Sequence, residues 1–170
     1  MRCATKLMIP KDPAMAAMET AAGALPKATT AGDTGRAMSQ ENVDAAQKGL
    51  DAFNRRDKAA WLALNDPEVE AVPPRDWPES DAIRGREAVW HSYVENIEAF
   101  REGPLEHVEL IDAGNDKVVA HMRGEMHGKA SGASVAFSYW PVSTFRDGKT
   151  LRTEWFADRN EALEAAGLRE

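Results

Sequence analysis

The densest run of chemically capable side chains is His121, Arg123, Glu125 and His127, at alternate positions of one segment. Alternation along an extended chain puts all of them on one face of a strand, where imidazole and carboxylate groups would suit a metal or an acid–base pair. Distance argues against the metal. At about 3.3 Å per residue the two histidines stand roughly 20 Å apart, and His121 and Glu125 about 13 Å apart, too far to share one ion. No metal site is expected. Asp76, Glu79, Asp81 and Arg84 surround Trp77, where solvated loop charge is the plain explanation and a specificity loop the alternative. Glu70 or Asp158 would act as a base only if apolar neighbours raised its pKa, and Arg75, Arg84 and Arg159 are the available ion-pair partners. The sequence has no glycine-rich phosphate loop, Ser-His-Asp order or cysteine nucleophile.

Composition narrows the classes further. The chain has 170 residues, 43% hydrophobic and 29% charged, which suits one globular domain. No stretch approaches the roughly 18 apolar residues that span a bilayer. With 21 Lys+Arg against 28 Asp+Glu and a net charge of −7, a broad electrostatic grip on nucleic acid is not expected either. The lone Cys3 excludes an internal disulfide framework and suits a reducing cytoplasm, the expected location.

Residues 1–37 are rich in Ala, Thr, Gly and Pro, lack aromatic residues and keep no sustained period, so they are expected to be disordered. Lys6, Pro10, Lys11, Asp12 and Pro13 interrupt any signal-peptide core, and Met38 reads as the natural start of the folded part, 38–170. The body is more acidic than the whole, because the tail holds five basic and three acidic residues.

Within the body, Ser39 is expected to cap a helix carrying Val43, Ala46, Leu50 and Phe53 along one stripe and ending near Asn54-Arg55-Arg56. Asp57 caps a short second helix, Lys58 to Leu64, stopped by Asn65-Asp66-Pro67. Glu68 to Val72 reads as a strand, and 75–84 as a loop. From Gly85 to Phe100, the spacing of Val89, Tyr93, Ile97 and Phe100 predicts a third helix. The period then changes. Leu105–Ile111, Lys117–His127, Ala133–Phe145 and Thr150–Ala157 are rich in β-branched and aromatic residues and separated by turn sequences such as Arg146-Asp147-Gly148. A closing helix, Asn160 to Ala166, ends at Gly167. Helices first and hairpins afterwards predict an α+β domain, with helices on one face of a curved antiparallel sheet.

Five segments stand out together: Ser39-Gln40-Glu41-Asn42-Val43, Ala52-Phe53-Asn54-Arg55-Arg56-Asp57, Asp66-Pro67-Glu68-Val69-Glu70, Arg84-Gly85-Arg86-Glu87-Ala88-Val89 and Phe145-Arg146-Asp147-Gly148-Lys149. Through them the sequence from Met38 to Leu168 resembles the SnoaL-like branch of the NTF2-like (nuclear transport factor 2) superfamily. The resemblance implies a cone: three N-terminal helices packed into the mouth of a strongly bent sheet. It leaves the reaction open, because the superfamily includes isomerases, polyketide cyclases, dehydratases and proteins that only bind or dimerise. Its steroid isomerases use an aspartate base and an oxyanion hole of tyrosine and protonated aspartic acid. The matching positions here are Ala71 for the base, Gly49 for the tyrosine and Pro141 for the acid, so that proton shuttle is missing.

The same alignment turns Ala120, Met122, Gly124 and Met126, then Phe137, Tyr139 and Pro141, then Thr153, Trp155 and Ala157 into the cone. Tyr93 matches a pocket tyrosine of the isomerases. Such a set implies a site for a flat hydrophobic molecule, bound without cofactor, with Tyr93, Met122, Met126, Phe137, Tyr139, Thr153 and Trp155 in contact and Tyr139 the candidate catalytic donor. The alternative is that these side chains fill the cone as core. Catalysis by isomerisation, cyclisation or dehydration and a noncatalytic binding or dimerisation module both remain open. The outer face, with Trp140, Phe156, His121 and Arg123, is expected to pair two copies into a homodimer.

Overall fold

The computed structural model describes residues 31–75, 81–98, 100–102, 105–128 and 134–168. Helix α1 (Ala31–Asn54) and α2 (Lys58–Leu64) lead into strands β1 (Asn65–Val72) and β2 (Ile83–Arg84). Helix α3 (Arg86–Glu98) and β3 (Phe100–Glu102) follow. Long strands β4 (Glu106–Gly114), β5 (Lys117–Gly128), β6 (Ser134–Arg146) and β7 (Lys149–Phe156) precede α4 (Arg159–Ala166). The strands form one curved seven-stranded sheet in the order β2-β1-β7-β6-β5-β3, with β4 also paired to β5. This is the expected α+β cone.

Local chemistry explains the boundaries. The Asp57 carboxylate accepts from the Ala60 N–H at 3.0 Å and opens α2. The Asn65 side-chain amide closes it by donating to the Trp61 carbonyl at 2.7 Å. Asn115-Asp116 and Asp147-Gly148 all have positive φ, the left-handed pair that a two-residue hairpin turn requires. Gly167, at φ 89°, ends α4.

Three elements differ from the sequence reading. Helix α1 begins at Ala31, and Ser39 lies inside it, where its hydroxyl donates to the Asp112 carboxylate on β4 rather than capping the helix. Helix α3 stops at Glu98, and Phe100 belongs to a short strand that pairs with the far end of β5. The strands are also not all antiparallel, because β1 and β7 run parallel. The expected tail up to residue 30, the Trp77 loop at 76–80 and the turn at 129–133 lie outside the described residues.

Helices α1, α2 and α3 cover one face of the sheet and α4 covers the other. The first face buries Leu50, Phe53, Trp61, Val69, Val89 and Trp90 against Met122. The second buries Ala162, Leu163 and Ala166 of α4 against Val119, Trp140 and Val142. The rim is tied by charge. Arg146 grips Asp66 with two nitrogens, at 2.9 and 3.2 Å, and reaches Glu68 at 2.8 Å, so the start of β1 is fixed to the end of β6.

The Glu68 backbone N–H and the Arg146 guanidinium hold the Asp66 carboxyl below its ordinary range, against the opposing effect of burial. A depressed folded-state pKa contributes stability above the unfolded value, near 4, and loses it as pH falls through the folded value. Asp66→Asn should therefore unfold at lower urea than wild type at pH 7, and the gap in midpoint should close as pH is lowered from 4 to 2. A gap independent of pH would remove Asp66 from the acid response.

Candidate functional site

The helix-covered face of the sheet is the candidate site. On β5 the even positions Val118, Ala120 and Met122 point to it and are buried, and on β6 the odd positions Phe137, Tyr139 and Phe145 point the same way, Phe145 buried and the other two half-buried. Trp155 of β7 joins them, and each helix adds a ring. Phe53 of α1 meets Trp90 and Tyr93 of α3 edge-on, with centroids 5.6 and 6.2 Å apart. Trp61 of α2 packs on Trp90 at 5.4 Å and on Tyr93 at 6.1 Å. From Tyr93 the series continues to Trp155 at 5.8 Å, Tyr139 at a further 6.2 Å and Phe137 at 6.0 Å.

Close approach decides one position. A Cβ built on Gly124 would stand 2.7 Å from the Phe137 ring and 2.9 Å from the Leu105 side chain, so only glycine lets that ring lie on the strand.

The polar content of this face is small and specific. The Trp155 indole N–H donates to the Tyr93 hydroxyl oxygen at 3.1 Å. Burial pushes the Tyr93 phenol up to about 12, with the indole bond pulling the other way, so the group is neutral at pH 7. Its own O–H meets no acceptor among the described residues. Thr153 is half-buried on β7, and its hydroxyl stands 3.3 Å from that of Ser143 across the β6–β7 ladder.

The sequence-predicted set is thus partly assembled. Tyr93, Trp155, Tyr139 and Phe137 form one continuous aromatic series, and Met122 pairs with Tyr139 across β5 and β6. Thr153 bonds to Ser143, and the Met126 side chain lies outside the described residues. At the isomerase positions, Gly49 sits on α1, Ala71 is buried on β1, and Pro141 lies opposite Trp155. Neither nearby carboxylate replaces the base. Glu70 is on the other face, held by Arg84 at 2.8 Å and by Arg152, and Asp158 caps α4 through the Asn160 and Glu161 N–H groups.

One group on this face was missed. His107 of β4 lies opposite Met122, and its Nδ1 is 3.2 Å from the Gln47 side-chain oxygen on α1. Burial lowers its pKa to about 4, against the pull of Asp51. Leu105 and His107 share a parity that could have revealed it, but a register shift between His107 and Glu109 breaks the alternation.

The polar row lies outside the cone, as its parity predicts, and its members are engaged separately. His121 stacks on Trp140 at 4.2 Å and bonds Ser138 at 2.8 Å, Arg123 reaches Glu106 at 3.7 Å, and His127 bonds Ser134 at 2.7 Å. Among the described residues no group of three or more His, Cys, Asp or Glu could hold a metal. The aromatic pair expected at a subunit contact is covered from within. Trp140 is only 9% exposed beneath α4, with the Arg159 guanidinium 5.6 Å from its ring, and Phe156 is packed beside it. Among the described residues no helix is long and apolar enough to cross a membrane.

The three-helix face on a bent sheet defines an NTF2-like cone. Residues 46–153 match the SnoaL-like domain, and the chain belongs to that family. No curated protein matches the sequence. An NTF2-like protein of unknown function from Burkholderia pseudomallei superposes with a TM-score of 0.59 at 19% identity, covering 73% of this chain and 95% of that one. A Mycobacterium tuberculosis protein in complex with estradiol-17beta-hemisuccinate gives 0.60 at 18% identity, covering 70% and 95%. TerC co-crystallised with polyporic acid gives 0.58 at 23% identity, covering 75% and 98%. Identities this low speak for shared fold alone.

Gly124→Ala should cost about 1 to 3 kcal/mol in urea unfolding, because the added methyl must displace the Phe137 ring or Leu105. Pairing it with Phe137→Leu should recover part of the loss, and an undisturbed single variant would contradict the close approach.

Proposed function

We propose that this domain binds a flat, hydrophobic small molecule in its cone, with the Tyr93 hydroxyl donating to an oxygen of the ligand. The observation that carries this is the Trp155 to Tyr93 bond, which occupies the phenol oxygen and leaves its hydrogen for a guest. The half-buried Tyr139, Phe137 and Trp155 supply the apolar contact. The steroid ester bound by the Mycobacterium tuberculosis neighbour and the polyporic acid bound by TerC are ligands of this kind.

The reading extends to a cofactor-independent isomerisation, cyclisation or dehydration in which a phenol hydroxyl, that of Tyr93 or Tyr139, polarises a carbonyl. A second reading, a noncatalytic binding module, is favoured by Gly49, Ala71 and Pro141, none of which can move a proton. The lone Cys3 fits a cytoplasmic setting.

Estrone, a flat steroid ketone, tests the reading through tryptophan emission, because Trp155 and Trp61 lie beside Tyr93. Saturable quenching is expected, with Tyr93→Phe raising Kd about tenfold for one lost hydrogen bond. An emission unaffected by estrone, or a Tyr93→Phe variant binding as well as wild type, would sink it. Mass spectrometry of the recovered steroid separates the two readings: unchanged ligand favours the binding module, a rearranged one the enzyme.

Homodimerisation through the outer face belongs to the same proposal, with its footprint moved off Trp140 to Val108, which is 45% exposed, and to Arg123, Ser138 and the half-buried His121. Sedimentation at tens of micromolar should give twice the chain mass, and a monomer would exclude the dimer.

A further inference from the structure

Directly opposed residues of an antiparallel ladder project from the same face. His107 opposes Met122 across β4 and β5, and Met122 opposes Tyr139 across β5 and β6. The three side chains therefore form one row on the helix-covered face, since Met122 is buried there with Leu50 and Phe53. Tyr139 touches Trp155, and Trp155 touches Tyr93. His107 and Tyr93 are thus joined through this face by an apolar and aromatic series.

The hydrogen-bond network sets which nitrogen of His107 carries the proton. Gln47 uses its amide nitrogen to donate to the Asp51 carboxylate at 3.1 Å, so its oxygen is the atom 3.2 Å from His107 Nδ1. An amide oxygen only accepts, which places the hydrogen on Nδ1 and leaves a bare lone pair on Nε2. Nothing among the described residues donates to Nε2. Asn54, one turn beyond Asp51, bonds both the N–H and the carbonyl of Leu105, at 3.1 and 2.9 Å, and so fixes the start of β4 against α1.

We propose that Nε2 of His107 is the acceptor that selects the ligand, requiring an O–H at the end of the guest remote from Tyr93. The inference rests on the small-molecule reading above and narrows it to hydrophobic hydroxy-ketones, the ketone facing a neutral donor and the hydroxyl a neutral acceptor. The imidazole stays neutral at pH 7 because burial outweighs the pull of Asp51, the one ionisable group among the described residues that acts on it. An uncharged lone pair has no attraction for a carboxylate, so hydrophobic acids without a hydroxyl are disfavoured.

The test compares estrone with 3-deoxyestrone, which lacks only the phenolic hydroxyl, on wild type and His107→Phe. Wild type should bind estrone about tenfold more tightly, and His107→Phe should abolish that preference while leaving 3-deoxyestrone within about twofold. Nitrogen NMR of the imidazole in ligand-free wild type should show the Nδ1–H tautomer, with Nε2 shifting when estrone is added. Equal binding of the two steroids by wild type, equal weakening of both in His107→Phe, or an Nε2–H tautomer would overturn the assignment and leave the wider binding reading standing. Failure of wild type to bind either steroid would remove the binding reading and this inference together.

Discussion

Interlocked rings from four elements hold this fold together. Phe53, Trp61, Trp90 and Tyr93 come from three different helices, and Trp155 carries the contact onto the sheet. Edge-on and tilted aromatic pairs of this kind contribute about 0.5 to 1.5 kcal/mol each beyond their buried area. They also fix direction, because an edge-to-face contact constrains both partners. The helix junction depends on it as well. Arg56, in a left-handed conformation at φ 58°, lays its guanidinium 4.8 Å from the Phe53 ring and lets the chain turn from α1 into α2. Tyr93 belongs to this cluster and also bears the hydroxyl that accepts from Trp155, so the element that closes the cone is the one that makes it polar.

Strand alternation divides the sheet into two chemically unlike faces. The outer face carries the carboxylates and cations, and these satisfy one another: Glu70 with Arg84 and Arg152, Glu154 with Arg152, Asp66 and Glu68 with Arg146. On the inner face Tyr93 and His107 are both uncharged at pH 7, Tyr93 because burial raises its pKa and His107 because burial lowers it. The same desolvation acts on a phenol and an imidazole with opposite sign and reaches the same result, two neutral groups. The two carboxylates nearest the missing isomerase aspartate are engaged elsewhere: Glu70 is held by Arg84 and Arg152 on the outer face, and Asp158 caps α4.

How far the sequence could be read follows from how local each determinant is. Helix α2 runs from Lys58 to Leu64 as expected because its cap, Asp57, and its stop, Asn65, lie within one turn of the ends. The faces of β5 and β6 were legible because their alternation is unbroken through Met122 and Tyr139. On β4 a bulge after His107 moves the inward position from odd to even, and a histidine in an apparently mixed strand then reads as surface. Phe100 continued the spacing of Val89, Tyr93 and Ile97, so nothing local distinguished a last helical turn from the strand that pairs with β5. The cover over Trp140 was hidden for a different reason. It depends on where α4 docks, a tertiary fact that no period in the segment around Trp140 encodes.

A site of one neutral donor or acceptor at a time is better suited to discrimination than to grip. A hydrogen bond exchanged with water adds only about 1 kcal/mol, whereas a buried polar atom left without a partner costs about 1 to 3 kcal/mol. In the cone this asymmetry applies to the Tyr93 hydroxyl hydrogen, which lies among three rings and has no acceptor among the described residues. A guest without a matching oxygen covers that hydrogen and leaves it unpaired, so apolar contact alone does not secure binding. The family fold supplies the cone and the aromatic floor. On the proposed reading the choice of molecule falls to the few polar atoms on it, those of Tyr93 on α3 and His107 on β4, away from Gly49, Ala71 and Pro141, the positions that match the acid and base of the superfamily's steroid isomerases.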